Sequence, residues 1–319
     1  MQKKIYINNS TKFIVHLSLF LIIFCSNDII AQNFYRFSNP EANELTINPA
    51  FTGYGKGILI KAINRQQWLN IDGAPKTTFF SYDSPIFDNS GWSLMMIKES
   101  IGIKRDFGFY GSFAHHLRYR FMNISLGFQA GFLTKNILFS DLILLSDTDP
   151  AFNAGADVNL SVFNLGFGIL LHSEYFHLGL SIPRLLGNEY PGIGDNGIYA
   201  LYMKTLHYHL TIGGKIKFKD KISVNPTLVY RKIQGTPKHW TFLTSVHFKS
   251  GYNFGAGIHS FDAFIINTGF TFKEVFKING AMDIAFSRIN PNSTPLSFEL
   301  VMSYLIISKR ERFISPRYF

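Results

Sequence analysis

Cysteine is almost absent from this 319-residue sequence. Its one copy, Cys25, lies in a segment that reads as an export signal, so the mature chain is expected to contain none. That excludes a disulfide framework, a cysteine-ligated zinc site and thiol catalysis. Charge is also scarce: Asp, Glu, Lys and Arg make up 16% of the chain, against roughly 25% in a typical soluble domain. After residue 31 no apolar run reaches the roughly 18 residues that a membrane-spanning helix requires. No glycine motif follows a strand and opens a helix in the way that cradles phosphate, so nucleotide binding has no support.

Aromatic residues are plentiful, at 16% of the chain with 33 Phe. A chain with many rings and few charges needs apolar surroundings. With spanning helices excluded, a closed barrel of strands is the remaining way to satisfy every backbone N–H and C=O inside a bilayer. The formal net charge is +10, and Lys3, Lys4 and Lys12 against Asp28 take two of those charges into the export signal, leaving +8. The cations are spread singly, so nucleic acid is not expected as a partner; anionic lipid headgroups or an acidic protein suit the pattern better. Membrane lipids are expected partners.

Lys3 and Lys4 precede an apolar run from Phe13 to Cys25, and Ala31 stands before Gln32. A basic start, a short apolar core and a small residue at the cut describe a signal peptide over 1–31. Residues 32–55 then form an N-terminal segment, periplasmic or plugging a lumen, 56–307 the barrel, and 308–319 a basic tail.

The barrel is written in two-residue alternation. Leu206, Tyr208, Leu210, Ile212, Ile216 and Phe218 share one face, with His207, His209, Thr211, Lys215 and Lys217 on the other. Phe276, Ile278, Met282, Ile284 and Phe286 likewise alternate with Lys277, Asn279, Asp283 and Ser287. Segments of about ten residues with apolar-out, polar-in alternation are the signature of transmembrane barrel strands.

The alternation predicts strands at 57–68, 77–84, 91–100, 108–117, 121–134, 159–172 and 175–183 in the first half. In the second half it predicts 207–217, 222–232, 240–249, 252–261, 263–272, 276–286 and 296–307, with a bulge at Pro226. The fold class is therefore all-β: a transmembrane antiparallel β-barrel of about 14 strands, preceded by a signal peptide. The long links 135–158 and 184–206 are expected to be extracellular and to meet partners.

Candidate chemistry is thin. His115, His116, His207, His209, His239 and His247 are scattered over several strands, and polar lumen groups account for them better than a nucleophilic set does. His207 and His209 share a face at the spacing of a possible metal pair, although lumen polarity is the simpler account. Asp147-Thr148-Asp149-Pro150 lacks the glycine and distal Glu of a calcium loop. No catalytic residue, metal or cofactor is expected.

Three short elements carry a family resemblance. Asn48-Pro49-Ala50-Phe51-Thr52-Gly53 is followed by Asn64-Arg65-Gln66-Gln67-Trp68 and then by Gly73-Ala74-Pro75-Lys76-Thr77. Together they resemble the NPAxxG, R-x-Q-W and G-x-P-x-T elements of the PorP/SprF family, with similarity running from about Asn48 to Tyr304. Where that family usually carries GSHE before its last strand, this chain has Thr294 to Glu299 and keeps only the Glu.

The resemblance implies an outer-membrane barrel of the Bacteroidetes gliding and type IX secretion machinery. It implies machinery proteins on the periplasmic side as partners, and adhesin clients bearing a C-terminal secretion signal. Asn48, Pro49, Arg65, Gln67, Trp68 and Pro75 are the candidate partner-binding residues. For the end of the first strand the simpler account is an aromatic girdle, with Trp68 at the membrane interface, plus one inward lumen charge, Arg65; a specific docking role at the periplasmic rim is the alternative. The alternative function is an outer-membrane channel for small or lipophilic solutes.

Overall fold

The computed structural model describes residues 35–307 apart from 56, 88, 142–156, 187, 193–198, 204–205, 219–220, 234–236, 261 and 287–295. The signal peptide, the acidic loop at Asp147 and Asp149 and the basic tail lie outside the described residues. A short helix α1 (Glu44–Ile47) and a 3-10 turn (Pro49–Phe51) precede the first strand. The strands of the first half are β1 (Ile58–Gln66), β2 (Lys76–Phe87), β3 (Ser90–Ile101), β4 (Lys104–Arg118), β5 (Asn123–Ile137), β6 (Val158–His172) and β7 (Phe176–Ile182). A separate hairpin, β8 (Asn188–Gly192) and β9 (Tyr199–Met203), pairs only with itself. The second half holds β10 (His207–Gly214), β11 (Ile216–Phe218), β12 (Ile222–Ile233), β13 (His239–Phe248), β14 (Tyr252–His259), β15 (Ala263–Phe272), β16 (Phe276–Ala285) and β17 (Leu296–Ile306).

All neighbours are antiparallel, and the sheet closes on itself. β1 pairs with β17 from Ile58↔Ile306 to Gln66↔Phe298, and β10 pairs with both β7 and β12. β10 and β11 lie end to end along β12, so the 15 segments of this sheet make a closed barrel of 14 strands. Closure removes every edge that hydrocarbon would leave unsatisfied.

Pro226 behaves differently from the sequence expectation. It keeps register with Thr244 of β13, and the pairs Gly213↔Thr227 and Ile216↔Val224 lie in one register on either side of it. There is no bulge. A proline has no N–H to give, so the ladder toward Gly214 is broken there, and β10 and β11 separate without slipping. The bulge that does occur lies between Pro85 and Phe87 in β2. The link 184–206, expected as loop throughout, contains the β8–β9 hairpin; Tyr199-Ala200-Leu201-Tyr202-Met203 is a strand-forming run.

The two faces follow the alternation. Tyr208 and Ile212 are exposed outward while His207, His209 and Thr211 are buried inward. Outward rings meet across strands, as in Phe128–Phe167 and Phe132–Phe163, whose centroids are 5.1 Å and 5.2 Å apart. The inward rank is not polar everywhere. Ile63, Phe79, Met95, Ile97 and Tyr110 of β1 to β4 are buried in the interior. The run Leu94-Met95-Met96-Ile97 is apolar on both faces of β3.

Residues 35–54 cover that inner apolar patch. Tyr35, Phe37, Leu45, Ala50 and Phe51 join it in one buried cluster, with the Phe37 and Phe79 rings edge to face at 5.9 Å. Burying each large apolar side chain stabilises this arrangement by about 2 kcal/mol. The segment runs lengthwise through the lumen as a plug. Arg36 reaches Asp262 in the β14–β15 turn near its start, and Tyr54 packs on His172 at the opposite end.

The barrel therefore has two unlike rims. The links after β2, β4, β6, β11, β13 and β15 are short turns, and β1 starts and β17 ends on that same side. The other rim holds the β1–β2 turn and the strand ends from which the long links after β5, β7 and β16 depart. Replacing lipid-facing Ile266, in the middle region of β15, by Arg is expected to cost about 2–4 kcal/mol of barrel stability. Its inward neighbour Asn267→Ser should cost far less. Urea unfolding of the refolded protein in lipid vesicles measures both.

Candidate functional site

Arg65 is the second-last residue of β1 and points inward, 2% exposed. In the ladder that closes the barrel it stands opposite Glu299 of β17. Its guanidinium bonds Asp283 of β16 at 2.5 Å and lies 3.5 Å from Glu299. The same guanidinium donates to the Ser38 hydroxyl of the plug. Glu299 also accepts the backbone N–H groups of Ser38 at 2.6 Å and Asn39 at 3.2 Å. One buried cation thus joins β1, β16 and the plug directly, while Glu299 holds the plug backbone from β17. Buried carboxylates persist only when paired and hydrogen-bonded in this way.

Further along the lumen the plug is held at both of its faces. Lys61 donates to the Ala42 carbonyl at 3.1 Å, and the Ile47 carbonyl accepts from Ser181 at 2.6 Å and from His209 Nδ1 at 3.0 Å. Gly53 N–H donates to Asp83 at 2.7 Å. Asn48 caps the 3-10 turn by accepting from Ala50 N–H at 2.9 Å, while its amide donates to the Ile169 carbonyl at 3.0 Å. The wall has to be bare to admit that turn. A Cβ on Gly168 would come within 1.9 Å of Asn48 Oδ1, and one on Gly127 within 2.2 Å of Ala50 N. Asn48 and Pro49 therefore serve contacts within the chain, deep against β5 to β7.

Gln67, Trp68 and Pro75 occupy the β1–β2 turn. Gln67 N–H donates to the Pro75 carbonyl at 2.9 Å, Trp68 N–H to Ser297 Oγ at 3.2 Å and Leu69 N–H to the Leu296 carbonyl at 2.8 Å. Trp68 has φ of 48° and Asn70 φ of 68°. A bulky residue in this left-handed region costs on the order of 1–3 kcal/mol, and such strain concentrates at functional sites. Trp68 is nevertheless part exposed, beside a cavity of about 220 Å³ lined by Arg36, Arg65, Gln67, Asp262 and Asp283 among others.

The structure thus brings Arg65, Gln67, Trp68 and Pro75 together and leaves Asn48 and Pro49 apart from them. The rim also differs from the sequence expectation of periplasmic docking. The β1–β2 turn shares its side with the long links, and in such barrels long loops face outward and short turns face the periplasm.

Asp283 is legible in the sequence only as one inward polar residue, and Ser38 and Asn39 carry no signal. Elsewhere in the lumen Ser125 Oγ lies 2.7 Å from His116 Nδ1 and 3.0 Å from His172 Nε2, fully buried. Among the described residues no group of three or more His, Cys, Asp or Glu is placed to hold a metal ion.

Two plug carboxyls titrate in opposite senses. Burial pushes Glu44 up to about 7, against the partial relief of Lys61. Burial also pushes Glu41 up, but its bonds to His247 and the Lys277 charge more than offset this and leave it lowered. The docked plug therefore prefers protonated Glu44. That contribution is full below the ordinary carboxyl value of 4.5 and is lost as pH rises through about 7.

Two outcomes are expected. Arg65→Ala removes the guanidinium that pairs Asp283 and Glu299 and should cost about 3–5 kcal/mol, read as a lower urea midpoint in vesicles. Limited proteolysis within 35–54 should be faster at pH 8 than at pH 5.5, and Glu44→Gln should hold the slower rate at both.

The family model described as Type IX secretion system membrane protein PorP/SprF matches residues 29–304. No curated protein sequence matches the chain. Similar solved structures include the Pseudomonas putida toluene transporter TodX, at 10% identity and a TM-score of 0.49, covering 83% of this chain and 94% of that one. A Pseudomonas aeruginosa FadL homologue is 13% identical with a TM-score of 0.43, covering 82% and 93%. Omp33 of Acinetobacter baumannii is 8% identical with a TM-score of 0.44, covering 80% and 100%. The family match spans nearly the whole closed barrel, and the chain belongs to the PorP/SprF family of type IX secretion system membrane proteins, resident in the outer membrane.

Proposed function

We propose that this barrel serves the export or surface attachment of adhesin-type clients, engaging their C-terminal secretion signal at the rim that carries the β1–β2 turn. Machinery proteins then meet the opposite, periplasmic rim. The observation that carries the reading is Trp68: a tryptophan in a left-handed conformation, held by Ser297, part exposed beside a polar cavity. Family membership supports the secretion setting. The lumen supports the rim as the place of contact, because the plug fills the interior between Arg65 and Tyr54. On this reading the barrel is a platform and performs no catalysis.

A passive channel for small or lipophilic solutes would require the plug to leave its buried contacts. Step-like conductance of the purified protein in planar bilayers would favour that reading over ours.

The test is affinity capture from native outer membranes. The wild-type protein should recover an adhesin C-terminal segment, and Trp68→Ala should lower recovery at least roughly tenfold, the range of an aromatic hot spot. The variant's unfolding midpoint should stay near wild type. Equal recovery by the variant, or no adhesin with either protein, contradicts the proposal.

A further inference from the structure

Without the export signal the net charge is +8, and the ion cluster around Arg65 does not account for it. Much of it sits on the short-turn rim. Arg118 ends β4 and Arg120 lies in the β4–β5 turn, Lys215 links β10 to β11, Lys217 of β11 pairs with Glu174, and Lys221, Lys249 and Lys273 occupy the next three short turns, all exposed. Among the described residues the exposed acids on this rim are Glu174 and Glu274.

Aromatic rings accompany the cations. Phe121 is 85% exposed, the highest of any large apolar side chain described, and Tyr119 and Tyr175 are about as bare as any other. At three separate turns a cation lies over a ring: Arg120 on Phe121 at 5.4 Å, Lys217 on Tyr175 at 5.8 Å and Lys273 on Phe272 at 5.2 Å. A ring with a cation beside it suits the boundary between hydrocarbon and headgroup, with the ring at the apolar edge and the charge at phosphate depth.

The distribution selects the occupant. The cations recur along the wall from β4 round to β16, at the β4–β5, β11–β12, β13–β14 and β15–β16 turns and on β11, while the β6–β7 turn carries Glu174. A docked protein covers one sector, whereas a leaflet surrounds the barrel. We propose that the short-turn rim is a collar that binds anionic phospholipid headgroups through their phosphates. This collar is independent of the client reading. It sets the depth of the barrel in the periplasmic leaflet, the leaflet that short turns normally face, and the exposed positive charge there is attracted to anionic headgroups.

The test uses the full processed protein, purified in neutral detergent and equilibrated with mixed micelles of phosphatidylglycerol and phosphatidylcholine. Mass spectrometry then counts the lipids that stay bound. The wild-type protein should retain phosphatidylglycerol over phosphatidylcholine by on the order of tenfold, and raised salt should erode that preference. The triple variant R120Q, K249Q and K273Q should retain the two nearly equally, with an unchanged unfolding midpoint in phosphatidylcholine alone.

If the triple variant does not refold, K249Q and K273Q singly should each give a partial loss. Excess inorganic phosphate should not displace the lipid, because a free ion lacks the leaflet that aligns many headgroups with many cations. Displacement by phosphate, equal retention by the wild type, or full preference in the variants overturns the proposal. So does a variant that keeps its lipid preference and instead loses a co-purifying acidic protein.

Discussion

The ion cluster around Arg65 is the interaction on which the other features depend. It lies at the seam where β1 meets β17, so the same side chain that helps close the barrel also holds the plug. Its two carboxylate neighbours come from the last two strands, more than 200 residues away in sequence. A barrel that closed in a different register would bury Glu299 or Asp283 away from the Arg65 guanidinium, at a cost of several kcal/mol. The cluster therefore specifies the register of closure and the position of residues 35–54 together.

The plug changes what kind of barrel this is. An empty lumen of polar side chains would be wet, and charges there would interact weakly through water. Filled by Tyr35, Phe37, Leu45 and Phe51 against β1 to β4, the interior is a packed core in which ionic and hydrogen-bonded contacts are stronger and more exacting. The glycines at 127 and 168 show that the wall is shaped to the plug, since any side chain there would displace the Asn48–Ala50 turn. Rigidity of this sort suits a platform whose exposed features lie at its two rims, a strained tryptophan turn at one and a cationic, aromatic collar at the other.

Much of the wall was legible in the sequence because barrel strands face two different solvents and must alternate. Each strand expected from that alternation is present with ends shifted by a few residues, as in β15 at Ala263–Phe272. The exceptions have local causes. Pro226 breaks a ladder without shifting register, since it lacks a donor but fits an extended backbone. The inner apolar patch was not legible because Met95 and Ile97 alternate with Leu94 and Met96, which are themselves apolar, so no period shows. Of the candidate site, Arg65, Gln67, Trp68 and Pro75 were legible as short elements that meet near the seam. Their partners Ser38, Asn39 and Asp283 were not, because contacts across such sequence distances leave no local pattern.

The plug is a fixed part of the barrel, locked to the closing seam through Glu299 and Arg65. Amide hydrogen exchange of the protein in lipid nanodiscs measures this directly. The Ser38 and Asn39 amides, which donate to Glu299, should exchange as slowly as those of β1, and Glu299→Gln should speed them while leaving β1 protected. Exchange of Ser38 and Asn39 at the rate of an unstructured chain in the wild-type protein would contradict the account.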